Sequence, residues 1–342
     1  MFQLTANHSL RKHNTFGIEC HAATFATYEV ASDVQQLLQA FPGTRYLPIG
    51  MGSNLLFLAP RFEGVVLHCE NRQWQLLEES DTEVLLRVGA GWNWDEFVRH
   101  TLHHGWYGLE NLSYIPGETG ASAVQNVGAF GVEAGERVAA VEAVDLRTGV
   151  LRRFTHEELQ FAYRDSFFKH PDEARQWAIV WVTYRLDKTF TPNLSYAGVA
   201  REVERRGLSA ASLTAQEMRE LIIDVRRGKL PDPAEIGSAG SFFKNPIVSV
   251  EKLEEIKQSH PGIVHFPVSR DKVKLSAGWM IDRLGWRGRS MGPAGVYERQ
   301  ALVIVNHGGA VGTDVLNVCR AVQHDVFKAY GVQLEPEVNF IE

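Results

Sequence analysis

Residues 46–58 read YLPIGMGSNLLFL. Two short apolar runs flank a glycine-rich turn, which is typical of a loop that joins two β-strands. Before them, residues 23–30 are rich in β-branched and aromatic side chains and predict a strand. A helix capped by Ser32 is predicted over residues 32–41, because its apolar side chains recur on one face. Strands and helices that alternate in this way indicate an α/β or α+β domain.

The turn itself suits contact with a phosphate. Its residues are Gly50, Met51, Gly52, Ser53 and Asn54. Glycines let the backbone approach a ligand closely, and consecutive amides can form an anion-binding nest. The turn is followed by a strand, whereas the G-x-G-x-x-G fingerprint of dinucleotide-binding folds opens a helix. A Rossmann-type NAD site is therefore not expected, although turns of this kind also join strands that bind nothing.

Strands dominate the chain up to about residue 190, and helices become frequent after it. Further strands are predicted at 65–68, 74–77, 84–88, 138–146, 150–154 and 177–186, with a hairpin across Thr148-Gly149. Capping boxes and apolar spacing predict helices at 93–103, 214–228, 276–284 and 314–330, before a closing strand at 332–341. Pro231-Asp232-Pro233 cannot continue a helix and predicts a domain hinge.

The composition excludes several classes of protein. The chain has 342 residues, and its formal net charge of -6 argues against nucleic-acid binding, which usually needs a basic face. Cys20, Cys69 and Cys319 are odd in number and widely spaced, so neither a disulfide framework nor a metal site is expected. Apolar runs are too short for a secretory signal or a membrane helix, and no membrane insertion is expected.

A second glycine-rich segment lies at 115–131 and reads IPGETGASAVQNVGAFG. A run this long without regular secondary structure is uncommon in a compact domain unless it is functional or disordered. Its small residues are interspersed with Val124, Val127 and Phe130, which favours an ordered loop around a flat ligand. A merely flexible loop is the alternative.

Three shorter motifs each have an ordinary structural explanation. Tyr163-Arg164-Asp165-Ser166 is typical of an internal Arg–Asp contact, and Ser241 in the stretch 238–246 (SAGSFFKNP) is typical of a turn or cap. Glu335 is predicted to lie in the closing strand, where Pro336 requires an edge or bulge position. A glutamate in such a strand is usually solvated.

In combination and order, however, these motifs resemble the UDP-N-acetylenolpyruvoylglucosamine reductase family, in its longer form with a tyrosine-bearing loop. The resemblance runs from about Asn14 to Ile341. It implies an α+β protein with a two-subdomain FAD-binding fold of the vanillyl-alcohol-oxidase type and a C-terminal α+β substrate-binding domain. The implied domains are 1–72 completed by 329–342, then 73–228, then 229–328.

The resemblance also implies a reaction. NADPH would reduce FAD, and the flavin would then pass hydride to the enolpyruvyl group of UDP-N-acetylglucosamine enolpyruvate. The product, UDP-N-acetylmuramate, would serve peptidoglycan synthesis and hence cell-wall formation, cell shape and division. The FAD is expected to be non-covalent, because Met51 stands between the loop glycines where some relatives carry a His or Cys. A cytoplasmic monomer is expected.

Particular residues inherit roles from the resemblance. Ser241 would give a proton to the substrate carbon, Arg164 would bind the substrate carboxylate, and Glu335 would be its neutral or proton-sharing partner. Implied FAD contacts are Gly50, Met51, Gly52, Ser53, Asn54, Ile115, Pro116, Gly117, Gly120, Ala121, Val124, Asn126, Gly128, Gly131 and Arg226. Implied substrate contacts are Tyr196, Lys229, Asn245 and Gln300. One departure is Phe266, near which a tyrosine is expected.

Two other interpretations stay open at this point. An FAD-dependent oxidase or dehydrogenase of sugars or alcohols would keep the flavin loops but would not need a proton donor to carbon. A non-catalytic protein that binds a nucleotide sugar would explain the basic stretch Arg226-Arg227. It would not explain two glycine-rich loops.

Overall fold

A computed structural model describes residues 2–170 and 176–342. Contacts between residues divide the chain into two compact units. The first unit consists of Met1–His8, His21–Met51 and Arg61–Gly228, and the second consists of Ser9–Cys20, Gly52–Pro60 and Lys229–Glu342. Each unit is thus assembled from three separate stretches of sequence. The three-domain division implied by the family resemblance stays a prediction.

The strands are short in the second unit and longer in the first. In chain order they are β1 Gln3–Ser9, β2 His21–Tyr28, β3 Tyr46–Ile49, β4 Leu55–Phe57, β5 Arg61–Cys69, β6 Trp74–Glu79, β7 Glu83–Gly89, β8 Gly128–Ala129, β9 Val132–Glu133, β10 Val138–Asp145, β11 Leu151–Thr155, β12 Trp177–Asp187, β13 Gly237–Ser241, β14 Ile247–Ser249, β15 His265–Pro267, β16 Lys272–Leu275, β17 Ser290–Met291, β18 Ala294–Val296, β19 Val303–Asn306 and β20 Asn339–Ile341.

Helices connect these strands. They are α1 Ala31–Ala40, α2 Trp94–His103, α3 Thr119–Gln125, α4 Ala197–Arg205, α5 Ala215–Lys229, α6 Val250–Ser259, α7 Ala277–Arg283 and α8 Gly312–Tyr330. Single 3-10 turns occur at Arg11–His13, Glu110–Leu112, Ala134–Glu136 and Phe167–Lys169. Within the described ranges, no helix is long and apolar enough to span a lipid bilayer.

The first unit contains two main sheets around one core. One has the order β1-β2-β5-β3, with β5 parallel to both β2 and β3, and the other is antiparallel in the order β11-β10-β12-β7-β6. The Tyr28 hydroxyl on β2 donates to the Ile179 carbonyl on β12 at 2.9 Å and so links the two sheets. Trp94 and Phe97 of α2 are fully buried in this core, and each such side chain contributes roughly 2–3 kcal/mol by burial.

The second unit is built on the sheet β13-β19-β18-β17, with α8 packed across β18 and β19. The buried face of α8 carries Val315, Val318, Cys319, Val322 and Val326, at the spacing of an amphipathic helix. A three-stranded sheet in the order β14-β16-β15 and the parallel pair β4–β20 complete the unit.

Local sequence signals predict much of this structure. The hairpin across Thr148-Gly149 is confirmed as β10–β11, with Val141 opposite Phe154. The capping box before α5 is confirmed, because the Thr214 backbone N–H donates to the Glu217 carboxylate and the Glu217 N–H donates to Thr214 Oγ1. Both features depend only on residues that are close in sequence.

Several predicted boundaries are wrong. The helix predicted from Ser32 begins at Ala31, because the Asp33 carboxylate accepts the Val30 N–H and Ser32 does not act as the cap. The strand predicted at 23–30 is β2, two residues earlier. The segment 115–131 contains helix α3 and strand β8, which pairs with β9, and is therefore not devoid of regular structure. The strand predicted at 332–341 is limited to β20, which leaves Glu335 outside it.

Candidate functional site

The two glycine-rich segments meet within the first unit. A Cβ atom on Gly50 would lie 2.9 Å from Glu118 Oε2 and 3.6 Å from the Ala121 Cβ. Glycine is needed at position 50 because the second segment occupies the space that a side chain would fill. Next to it, Met51 Sδ accepts a hydrogen bond from Asn93 Nδ2 at 3.6 Å.

The second segment is fixed against the end of β7. The Trp94 N–H donates to the Gly117 carbonyl at 3.0 Å, and the Gly120 N–H donates to the Ala90 carbonyl at 2.9 Å. A Cβ on Gly120 would lie 2.8 Å from the Ala90 Cβ. Gly120 therefore permits a close backbone packing that a larger residue would prevent.

The rest of the glycine turn, Gly52 to Asn54, belongs to the second unit. Gly52 has φ +67°, and a Cβ on it would collide with the backbone carbonyl of His13. Asn54 Nδ2 donates to the Glu337 carbonyl at 2.9 Å. The glycine at position 52 is thus explained by packing inside the second unit.

Replacing Gly52 with alanine is expected to destabilise the protein by more than the strain of the left-handed backbone alone, which is about 1–2 kcal/mol. Gly285→Ala in the same unit is the matched control, because Gly285 has φ +74° and a Cβ on it would meet no other atom within 4 Å. Urea unfolding of both variants measures the difference. Equal losses of unfolding free energy would contradict the role of the His13 contact.

Asn126 connects the second segment to the Tyr163-Arg164-Asp165-Ser166 turn. It has φ +44°, its Nδ2 donates to the Ala162 carbonyl at 2.8 Å, and its Oδ1 accepts the Gly135 N–H at 2.8 Å. Arg164 also has a left-handed backbone, with φ +56°, and its Nη2 donates to the Gly128 carbonyl at 2.6 Å. Arg164 is therefore held against the segment in a conformation that costs backbone energy.

Arg226, another predicted flavin contact, is anchored at the start of the same segment. Its Nε donates to the Tyr114 carbonyl at 2.9 Å. Burial lowers the pKa of Arg226 to about 10, which leaves the side chain charged at neutral pH. The remaining predicted flavin residues of this segment, Ile115, Pro116, Val124 and Gly131, lie along its length between Tyr114 and Val132.

The tyrosine loop lies on the far end of the second segment. The Tyr196 ring packs edge-on against Phe130 with 5.3 Å between the ring centroids. Ser195 occupies the space where Gly131 lacks a side chain. Tyr196 itself is 42% exposed and lies immediately before α4.

Ser241 ends β13 in the second unit. The Phe242 N–H beside it donates to the Leu302 carbonyl at 2.8 Å, and Gly240 before it has φ +67° at an irregularity in the β13–β19 pairing. The irregularity re-aims the end of the strand. In the part of the chain that the structure describes, Ser241 Oγ makes no hydrogen bond, so the hydroxyl is available to a ligand.

Glu335 lies on a segment that pairs with the residues after Ser241. The Lys244 N–H donates to the Glu335 carbonyl at 2.9 Å, and Phe243 forms an isolated antiparallel bridge with Pro336. Lys244 Nζ contacts Glu335 Oε1 at 2.5 Å. The prediction that Glu335 lies in a strand is therefore wrong, whereas the expected exposure to solvent is confirmed, because its side chain is 69% exposed beside the lysine.

The predicted substrate residues of the second unit have structural partners of their own. Asn245 Oδ1 accepts the Ala277 N–H at 3.0 Å at the start of α7. Gln300 Oε1 accepts the Leu302 N–H at 3.4 Å. Lys229 is the last residue of α5, not a residue beyond its end.

Phe266, the departure from the family pattern, lies on β15 opposite Lys274. Its side chain is 47% exposed. A tyrosine at this place would direct a hydroxyl to solvent or to a ligand, and phenylalanine cannot.

Some structurally important residues are not predicted by any sequence motif. Arg219 on α5 forms a two-point ion pair with Asp95 on α2, with distances of 2.7 and 2.8 Å. Burial works to raise the pKa of Asp95, but the bonds from Arg219 and from the Tyr114 N–H leave it below the usual value. The residues of this pair are 124 positions apart, and no local signal connects them.

Arg164 belongs to the first unit, whereas Ser241 and Glu335 belong to the second. The structure brings the Ser241 and Glu335 segments together within their unit. A common ligand for all three residues stays a prediction.

Known proteins have similar sequences over almost the whole of this chain. The chain is 45% identical over 336 residues to the UDP-N-acetylenolpyruvoylglucosamine reductase of Burkholderia multivorans. The alignment covers 98% of this chain and 96% of that protein. The Burkholderia ambifaria protein of the same name is 45% identical over 343 residues, with the same coverage.

The chain belongs to the UDP-N-acetylenolpyruvoylglucosamine reductase family.

Two family models match separate parts of the chain. Residues 232–341 match the C-terminal domain of UDP-N-acetylenolpyruvoylglucosamine reductase, and residues 22–155 match an FAD binding domain. A crystal structure of the Thermus caldophilus reductase aligns with 100% of this chain and 99% of its own, at 24% identity and a TM-score of 0.68. The predicted α+β class is confirmed, and this member of the reductase family is an FAD-dependent oxidoreductase.

The structure also fits the flavin cofactor. Among the described residues of the first unit, the backbone N–H groups of Met51, Ile115 and Gly117 donate to no protein oxygen. Buried or crowded backbone donors usually find a partner, so these groups are suited to the oxygens of a bound dinucleotide. The glycines at 50, 117 and 120 keep side chains out of the region around them.

Proposed function

We propose that this chain catalyses the NADPH-dependent reduction of UDP-N-acetylglucosamine enolpyruvate to UDP-N-acetylmuramate. The two glycine-rich segments would hold FAD non-covalently, and the bound flavin would supply the hydride chemistry between NADPH and the enolpyruvyl double bond. We place the reaction in the cytoplasm, where UDP-sugars and NADPH are present, and assign it to a monomer. It contributes a precursor to peptidoglycan synthesis.

The observation that most supports this reaction is the pairing of the Ser241 and Glu335 segments through the Phe243–Pro336 bridge. Reduction of the enol ether places negative charge next to a carboxylate and then requires a proton on carbon. Ser241 provides a hydroxyl that has no protein partner among the described residues. An oxidase of alcohols would need no such donor to carbon.

The roles of the polar residues follow from where charge develops. Arg164 binds the substrate carboxylate, because a guanidinium offers a planar pair of donors. Its bond to the Gly128 carbonyl orients it before substrate arrives, and a donor that is already oriented stabilises developing charge most effectively. Glu335 contacts the same acid group and is held in place by Lys244.

The nucleotide part of the substrate requires contacts farther from the reacting carbon. Tyr196, with its exposed ring, covers the diphosphate as part of a lid. Lys229, Asn245 and Gln300 contact the UDP-sugar. In the flavin site, Gly52, Ser53 and Asn54 complete the turn that Gly50 and Met51 begin.

An anaerobic stopped-flow experiment tests the proposed reaction. NADPH is expected to bleach the flavin absorbance of the purified protein, and the enolpyruvyl UDP-sugar is then expected to restore it and yield UDP-N-acetylmuramate. Reoxidation by oxygen alone would favour an oxidase instead. A colourless protein that takes up no added FAD would favour a binding protein.

A further inference from the structure

A buried acid–base pair lies beside the first glycine turn. Glu118 Oε1 and His68 Nε2 are 2.9 Å apart, and the two side chains are only 8% and 12% exposed. The pair lies in the first unit, between the end of β5 and the start of α3. None of the flavin or substrate roles described above uses either residue.

The backbone of Glu118 is held on both sides. Glu118 and Asn93 form an isolated antiparallel bridge, and the Thr119 N–H donates to the Trp92 carbonyl at 3.0 Å. The His68 backbone on β5 lies opposite Ile49, the last residue of β3. The carboxylate and imidazole are therefore supported by rigid elements and not by mobile loops.

The second oxygen of this carboxylate points to the flavin turn. Glu118 Oε2 would lie 2.9 Å from a Cβ on Gly50, and so it fills the place where Gly50 has no side chain. A shift of Glu118 would open space next to the Gly50 backbone. Any change of its charge would alter the electrostatic potential at the turn.

The surroundings determine the charge of the pair. Burial raises the pKa of Glu118, while His68 and Arg72 oppose the rise and Glu70 adds to it. The nearby Tyr28 and Cys69 stay neutral around pH 7, because burial raises the pKa of Tyr28 well above its usual value and that of Cys69 to about 12. With its proton the Glu118 carboxyl is neutral, and without it the carboxylate is negative.

We infer that the Glu118 carboxyl, held by His68, is a positioning element of the flavin site, which packs beside Gly50 and favours FAD binding only while it retains its proton. This inference rests on the proposed placement of FAD at the Gly50 turn. The FAD diphosphate is negatively charged, and a negative carboxylate beside the turn would repel it. FAD binding and loss of the proton therefore oppose each other, as linkage requires.

Burial raises the pKa of Glu118, so its carboxyl keeps the proton to higher pH than an exposed glutamate does. The protonated carboxyl is present at low pH, so FAD binds most tightly there and more weakly as the pH rises and the proton leaves. For wild-type apoprotein we expect the Kd for FAD to rise by about tenfold between about pH 5 and about pH 8.

Titration of apoprotein with FAD, followed by flavin fluorescence, tests the inference without any measurement of turnover. The double variant His68→Gln/Glu118→Gln keeps two hydrogen-bonding side chains of similar size but cannot titrate. We expect its Kd to change by less than about twofold over the same pH range. Glu118→Ala, which removes the side chain beside Gly50, should weaken FAD binding by about tenfold at low pH and should also remove the pH dependence.

Asp145→Asn is the matched control, because Asp145 is also a buried carboxylate of the first unit but lies at the β10–β11 hairpin. It should retain the wild-type Kd and pH dependence. A wild-type pH dependence in the double variant, or none in the wild type, would overturn the inference. If Glu118→Ala does not fold, the double variant still decides. Failure of the wild type to bind FAD at any pH would instead refute the flavin assignment itself.

Discussion

Ser241→Ala is expected to leave reduction of the flavin by NADPH almost unchanged and to slow its reoxidation by the enolpyruvyl substrate by about a hundred- to ten-thousand-fold. The first half-reaction transfers hydride without a proton to carbon, so it has no need of the hydroxyl. The second half-reaction loses its proton donor. Rapid-mixing measurements of the two half-reactions separate the effects.

Ser238→Ala provides the control for this prediction. Ser238 lies on the same strand, β13, and is buried, so its replacement also removes a hydroxyl from the strand. It should leave both half-reactions close to wild type. If Ser241→Ala slowed the two half-reactions equally, the serine would have a structural role and would not be the proton donor.

Arg164→Met is expected to slow the substrate half-reaction by about a hundred- to thousand-fold, the usual loss when one donor to a developing negative charge is removed. It should also raise the KM for the enolpyruvyl UDP-sugar. Arg164→Lys should recover only part of the rate, because an ammonium group cannot make the same planar, two-point contact. Steady-state and single-turnover kinetics with the UDP-sugar test both variants.

The second contact of Arg164 makes a further measurement necessary. Arg164 donates to the Gly128 carbonyl, so its loss could loosen the glycine-rich segment. FAD content and the rate of flavin reduction distinguish the two effects, with the exposed Arg153→Met on β11 as the control. An equal loss of FAD binding and of substrate reduction would show that Arg164 anchors the loop and does not bind the substrate.

Sequence predicts the parts of this fold whose causes are local. A Thr-Gly pair between two apolar strands predicts the β10–β11 hairpin, and Thr214 with Glu217 predicts the start of α5. Asn93 predicts the start of α2 in the same way, because its side chain accepts the Glu96 N–H. Each of these signals spans only a few residues and involves one backbone segment.

The features that the sequence did not predict depend on partners that lie far away in the sequence. Residues 332–338 have the composition of a strand, but their backbone pairs with the turn after Ser241, and only β20 finds a strand partner in β4. The Glu118–His68 and Arg219–Asp95 pairs join residues 50 and 124 positions apart. No periodicity or short motif predicts such contacts, because each residue of a pair is an ordinary polar or charged residue within its own segment.

The family motifs do not by themselves explain the conformation of individual residues. Gly52 matches a phosphate-binding turn, yet its left-handed backbone is also required by the His13 carbonyl beside it. Glu335 matches the family position, but the Lys244 partner becomes visible only when the two backbone segments are paired.

Because each unit consists of three separate stretches of sequence, no single cut of the chain gives two fragments that each contain one complete unit. Core residues Phe16, Ile18 and Leu56 of the second unit are synthesised early, but the sheet and helices that cover them come after residue 229. During translation these side chains therefore lack most of their packing partners until the residues after 229 have been synthesised. A fragment that starts at residue 229 would lack them, together with β4, the partner of β20. The C-terminal segment that matches a family model, residues 232–341, therefore contains only part of the core of the second unit.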